Sequence, residues 1–109
     1  MKWSFFIAGV QFHEAKTVLK KLESGMELAL NPDPTNKYDP NAVEILYMGV
    51  DTKDDVMLGF VPGKLSAQVA ASLAMGREVV CTLDAIQPDE KPWKQLYVIL
   101  EEKEEVDNV

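Results

Sequence analysis

The sequence predicts a mainly β domain of the α+β kind, a small open or closed barrel of about six short strands with two helices. Three observations carry this expectation. Short β-branched, aromatic or alternating segments outnumber helical ones, only two stretches have helical periodicity, and Gly, Pro, Asn and Asp turn signals separate most of the elements. A chain of 109 residues suits one core. Its 47% hydrophobic and 27% charged content is that of an ordinary globular domain able to bury one without staples.

Taken in order, Phe5 to Val10 is aromatic and branched enough for a buried strand. Glu14 to Leu22 changes period: Val18, Leu19 and Leu22 share a helical face, Lys16, Lys20 and Lys21 lie elsewhere, and Gly25 is an end signal, so a short helix is expected. Met26 to Leu30 alternates Met26, Leu28 and Leu30 with Glu27 and Ala29, as a half-buried strand does. The loop Asn31 to Asn41 holds Pro32, Pro34 and Pro40 among Asn and Asp residues, which favour turns over regular structure. Val43 to Met48 and Val56 to Val61, joined by the polar turn Gly49 to Asp55, read as a hairpin. Pro62-Gly63 opens a second helix, with Leu65, Val69 and Leu73 at i, i+4 and i+8, rich in alanine and ending at Gly76. Glu78 to Ile86 and Trp93 to Leu100 are the last two strands, linked by Gln87 to Pro92. The expected division is a domain over 1–100 and an acidic tail over 101–109.

The single cysteine, Cys81, excludes an internal disulfide and sits in the apolar run Val79 to Leu83, where a buried, inert thiol is expected. The apolar stretch Trp3 to Val10 after Lys2 is short for a signal peptide, has no A-x-A-like exit and runs into Gln11, His13, Glu14 and Lys16. No run approaches the ~20 apolar residues of a membrane span. A cytoplasmic location, with no membrane partner, is therefore the expectation. The net charge is −7, but the tail has five acids against Lys103 and the segment 51–55 three against Lys53, so these two stretches carry all but one unit of it. The remaining surface is near neutral, not basic.

Three stretches carry a resemblance: Phe6-Ile7-Ala8-Gly9-Val10-Gln11-Phe12; Leu28-Ala29-Leu30 followed by Asn36-Lys37-Tyr38-Asp39-Pro40-Asn41-Ala42-Val43; and Leu58-Gly59-Phe60-Val61-Pro62 with the alanine-rich helix and Gly76. In this order they resemble the HIRAN family over roughly residues 3–100, the N-x-Y-D-x-N-A core being the most specific piece. That family occurs as an accessory domain of helicase-like DNA-repair remodellers and as a separate bacterial protein. The resemblance implies an OB-like barrel that holds the 3′-terminal nucleotides of single-stranded DNA, as an accessory to DNA repair or processing and within a protein assembly of that kind.

The residue types suit that chemistry. Aromatic faces hold an exposed base at about 1 to 3 kcal/mol per stack without regard to sequence, and Phe6 and Tyr38 are the candidates. A carboxylate in a rigid turn accepts from a free 3′-hydroxyl and repels a phosphate, the role expected of Asp39. Asn36 is a candidate for a base or sugar edge, and Lys37, Lys64 and His13 for phosphates. Each has a structural counterpart. Asp39-Pro40-Asn41 is also a good turn, with Asn41 bonding its own backbone; Phe6 lies in an apolar strand; Lys64 is a first-turn lysine. Two departures stand out from the DNA-binding members: Phe5 replaces a basic residue before the first-strand aromatic, and the second helix opens with Pro62-Gly63 and only Lys64.

No enzyme signal emerges. Gly63-Lys64 lacks the earlier glycine of a P-loop, and Leu65 stands where Ser or Thr binds magnesium. One His and one Cys cannot build a zinc site of the usual N and S ligands, so no cofactor is expected. The competing reading keeps the barrel but gives it a protein or small ligand, since a −7 surface suits a basic partner.

Overall fold

The computed structural model describes residues 1–51 and 54–103. Six antiparallel strands form one sheet, β1 (Lys2–Phe6), β2 (Glu27–Pro32), β3 (Val43–Tyr47), β4 (Val56–Phe60), β5 (Val79–Ile86) and β6 (Leu96–Glu102), with helices α1 (Ala15–Val18) and α2 (Gly63–Ala74). The spatial order is β1-β6-β5-β2-β3-β4. The sheet curls until its two ends meet: Ala8 N–H donates to Phe60 O at 2.9 Å and Phe60 N–H to Ala8 O at 2.8 Å. This is the OB-like α+β half-barrel that the sequence predicts.

Curling needs local twist, and the strands supply it with irregular registers. Opposite Ile45 and Leu46 the partners are Gly59 and Met57, so Leu58 is an extra residue in β4; a second shift lies between Leu83 and Ala85 in β5. Such bulges bend a strand and sharpen its twist. The interior is filled by Ile7, Ile45, Leu58, Leu83, Leu96, Val98 and Leu100, all fully buried. Each such side chain contributes about 1.5 to 3 kcal/mol relative to an exposed one. Cys81 is in this core; burial first, and the Glu27 carboxylate second, push its thiol up to about 12, so it is inert as expected.

Several boundaries differ from the sequence expectation. The first strand runs over Lys2–Phe6 instead of Phe5 to Val10, because Trp3, Phe5 and Ile7 are buried in alternation with Lys2, Ser4 and Phe6. The chain then turns at Gly9, whose φ of 72° suits a residue without a Cβ. The first helix shortens to Ala15–Val18 with a 3-10 turn over Leu19–Lys21. The last strand starts at Leu96, not Trp93, since Pro92–Lys94 forms a 3-10 turn that leaves Trp93 half exposed under the Lys91 ammonium, 5.5 Å from its ring. Of the expected acidic tail, Glu101 and Glu102 belong to β6, and 104–109 lies outside the described residues.

The second helix sits as the alanine-rich pattern predicts but turns a different face inward. Val69 is buried between Ser66 and Ser72, while Leu65 and Leu73 are only partly covered. A buried hydroxyl must find a partner. Ser66 finds Asp39, and Ser72 finds Glu102. The Ser72 hydroxyl first, and the Arg77 guanidinium at 2.9 Å next, hold the Glu102 carboxyl below its ordinary 4.5. A lowered folded-state value gives stability that is complete above the ordinary value and is lost as pH falls through the lowered one. Acid unfolding of Glu102→Gln should therefore show a flatter stability profile below about pH 4.5 than the parent, with little difference in relative slope above it; identical acid limbs would contradict this.

Candidate functional site

The loop between β2 and β3 is built by polar side chains that each fix the backbone a few residues on. Its ends are joined by Asp33 N–H to Ala42 O at 2.8 Å. The Asp33 carboxylate accepts from Thr35 Oγ1 at 3.1 Å and Asn36 Nδ2 at 3.3 Å. Asn36 Oδ1 in turn accepts from the backbone N–H groups of Tyr38 at 2.9 Å and Asp39 at 3.1 Å. Asp39 Oδ1 then accepts from Asn41 N–H at 2.9 Å. Asn and Asp at this spacing replace a backbone ladder with side-chain turns, which is the physical content of the N-x-Y-D-x-N sequence.

Two consequences follow for chemistry. Tyr38 is lifted to the crest of the loop, where it is 96% exposed. Asp39 is both turn residue and pocket residue: while Oδ1 makes the turn, Oδ2 accepts from the Ser66 hydroxyl at 2.6 Å. The turn bond expected of Asn41 is thus made by the Asp39 side chain. Ser66 Oγ also lies 3.0 Å from Gly63 O. A hydroxyl has one proton, which an ionised carboxylate claims ahead of a carbonyl.

Asn36, Tyr38 and Asp39 border a cavity of about 250 Å³. Across it stand Ala8 and Gly9 from the turn after β1, and Phe60, Val61 and Gly63 from the passage of β4 into α2. The Ala8–Phe60 bridge that closes the barrel therefore also forms one wall of the cavity. Among the described residues Asp39 is the charged residue lining it, and no lysine or arginine does. A fixed carboxylate without a neighbouring cation favours a hydroxyl donor over an anion.

The remaining candidates lie elsewhere. Phe6 does not border the cavity; it is half-buried, edge-on to Tyr97 with ring centroids 4.9 Å apart. Lys37 and Lys64 are exposed at its margins in sequence but do not line it. The His13 ring stands edge-on to Phe60 at 5.4 Å. Sequence reasoning missed Phe60 and Ser66 as site residues. The extra residue Leu58 explains Phe60: strict alternation groups Phe60 with buried Leu58, yet the bulge lets Leu58 and Val61 both be buried and leaves Phe60 half exposed.

A curled sheet joined at one bridge, with an exposed aromatic and a fixed carboxylate beside it, defines a small barrel domain with a ligand-sized cleft. Comparison with known proteins makes this specific: the HIRAN domain model matches residues 2–97, and the chain belongs to the HIRAN domain family. A Fanconi-associated nuclease 1 homolog of Oryza sativa subsp. japonica is 36% identical over 75 residues, 69% of this chain. The chain spans only 7% of that relative's length. Among solved structures, a protein from Lactobacillus plantarum aligns with a TM-score of 0.70 at 20% identity, covering 89% of this chain and 87% of the other. The HIRAN domain of human HLTF aligns with a TM-score of 0.62 at 14% identity, covering 91% and 70%. These two likenesses establish the shared fold. Among the described residues no helix is long and apolar enough to cross a membrane.

Proposed function

We propose that this domain is a nucleic-acid-binding module that takes the free 3′ end of a single DNA strand into the cavity between Tyr38 and Phe60. The observation that carries the reading is the pairing of a 96% exposed tyrosine with a carboxylate fixed by Asn41 N–H and the Ser66 hydroxyl. The terminal base stacks on Tyr38, and the 3′-hydroxyl donates to Asp39. Asn36 shapes the turn and has one amide proton to spare, Lys37 and Lys64 meet phosphates at the margin, and Phe6 with Tyr97 supports the wall behind. Membership of the HIRAN family supports a nucleic-acid-binding role, and the match to a nuclease homolog supports a place in DNA repair or processing. On this reading the domain binds without chemistry of its own and acts in the cytoplasm beside a DNA-processing partner.

Tyr38→Ala tests the stacking half. Loss of one stacked base costs about 1 to 3 kcal/mol, roughly a 5- to 150-fold weaker Kd. The loss should be similar for all four terminal bases, since each has a π-face, and the exposed site should leave the melting temperature unchanged. A titration in which Tyr38→Ala binds like the parent would remove the platform from the account. The competing reading, a barrel that binds a protein or small ligand, draws on the net charge of −7 and on a cavity lining without a cation among the described residues; capture of a basic peptide by a parent protein that binds no oligonucleotide would favour it.

A further inference from the structure

A second cavity, of about 360 Å³, lies next to the first, bordered by Phe12, His13, Lys16 and Gln95. The two meet at His13: its ring is edge-on to Phe60 at 5.4 Å, and a Cβ placed on Gly9 would lie 3.8 Å from His13 Nε2. Gly9 and Phe60 border the first cavity, and His13 the second. Phe12 is held by a turn, its N–H donating to Gly9 O at 3.0 Å, yet is 78% exposed. Lys16 is exposed and makes no ion pair among the described residues. The neighbouring acid, Glu14, borders a different groove with Asp54 and Asp55.

A strand whose end sits against Asp39 carries phosphates that no cation in the first cavity meets. We infer that the second cavity is a subsite for the penultimate nucleotide, on the 5′ side of the seated end, its phosphate held by Lys16 and the His13 imidazole and its base stacked on Phe12. This rests on the 3′-end reading and adds the direction in which the strand leaves: over Gly9 and His13, toward α1. Small Gly9 leaves that passage open, while a cation and an exposed ring at the far side supply the two contacts that a sequence-tolerant single-strand groove uses.

The test compares 5′-labelled thymidylates of one and six residues with free 3′ ends, by fluorescence anisotropy across a salt series. Phe12→Ala should weaken the six-residue strand about tenfold and leave the single nucleotide, which has no second base to stack, nearly unaffected, with Phe12→Tyr restoring affinity. Lys16→Ala should lower the salt slope for the longer strand by about 0.7, the value of one phosphate contact. Equal losses at both lengths, or parental binding by both variants while Tyr38→Ala is impaired, would overturn the subsite and leave the 3′-end reading standing. If the parent binds neither strand, the 3′-end reading itself fails and the subsite falls with it.

Discussion

Replacing Asp39 by asparagine is expected to abolish most of the preference for a free 3′-hydroxyl while leaving the domain folded. The geometry allows the two effects to separate. In Asp39→Asn the amide oxygen takes over acceptance from Asn41 N–H, which lies 2.9 Å from the carboxylate of the parent. The new amide nitrogen then faces Ser66 Oγ, which is free to accept because its own proton turns to Gly63 O, 3.0 Å away. The turn and the tie to α2 both survive, and only the charge is removed. A hydrogen bond to a charged group contributes about 1.5 to 3 kcal/mol, so discrimination between hydroxyl and phosphate ends should fall by about one to two orders of magnitude. A variant that melts much lower but discriminates as before would make Asp39 a turn residue alone.

The second large effect is expected at Gly59. A Cβ there would sit 2.3 Å from Ala8 O and 2.7 Å from Ile7 Cγ2, at the bridge by which β1 and β4 close the barrel. The nearest obstacle is backbone, which cannot swing aside, so Gly59→Ala must open the bridge or push the strands apart. Overpacking of this kind typically costs about 1 to 3 kcal/mol, and here the upper part of that range is expected in denaturant unfolding. Because Ala8 and Phe60 also wall the cavity, oligonucleotide binding should weaken even in the fraction that remains folded. Gly63→Ala is the control: a Cβ at that position meets nothing within 4 Å, and alanine in the first turn of a helix lowers the entropy of the unfolded chain. Equal melting temperatures for Gly59→Ala and the parent would show that closure at this bridge contributes little.

How far the site was legible depended on how local its determinants are. Asn36, Tyr38 and Asp39 stand in the motif that carries the resemblance, and that motif is compact in sequence because the bonds that build its turn span two or three residues. Ser66 was not legible, since its partner Asp39 lies 27 residues earlier and comes near only when α2 packs against the loop. The same limit applies to Phe60, whose exposure depends on a bulge that register alone reveals. Among the elements, the β3–β4 hairpin, β5 and α2 have clear periods and fall close to where the sequence puts them. The first strand was misplaced because Trp3 to Val10 reads as an apolar run, hiding the alternation of buried Trp3, Phe5 and Ile7. Phe6, also drawn into the candidate site by resemblance, packs edge-on against Tyr97 and is not among the residues that border the cavity.

The central claim is that a carboxylate fixed beside an exposed tyrosine selects a strand end by its hydroxyl. Fluorescence anisotropy of the parent protein, with 5′-labelled single strands identical except for a 3′-hydroxyl or a 3′-phosphate, measures this directly at low and moderate salt. The account predicts tighter binding of the hydroxyl end at both, by about tenfold or more, with a shallow salt slope for each because few phosphates are engaged. Equal affinity for the free and the blocked end would contradict it.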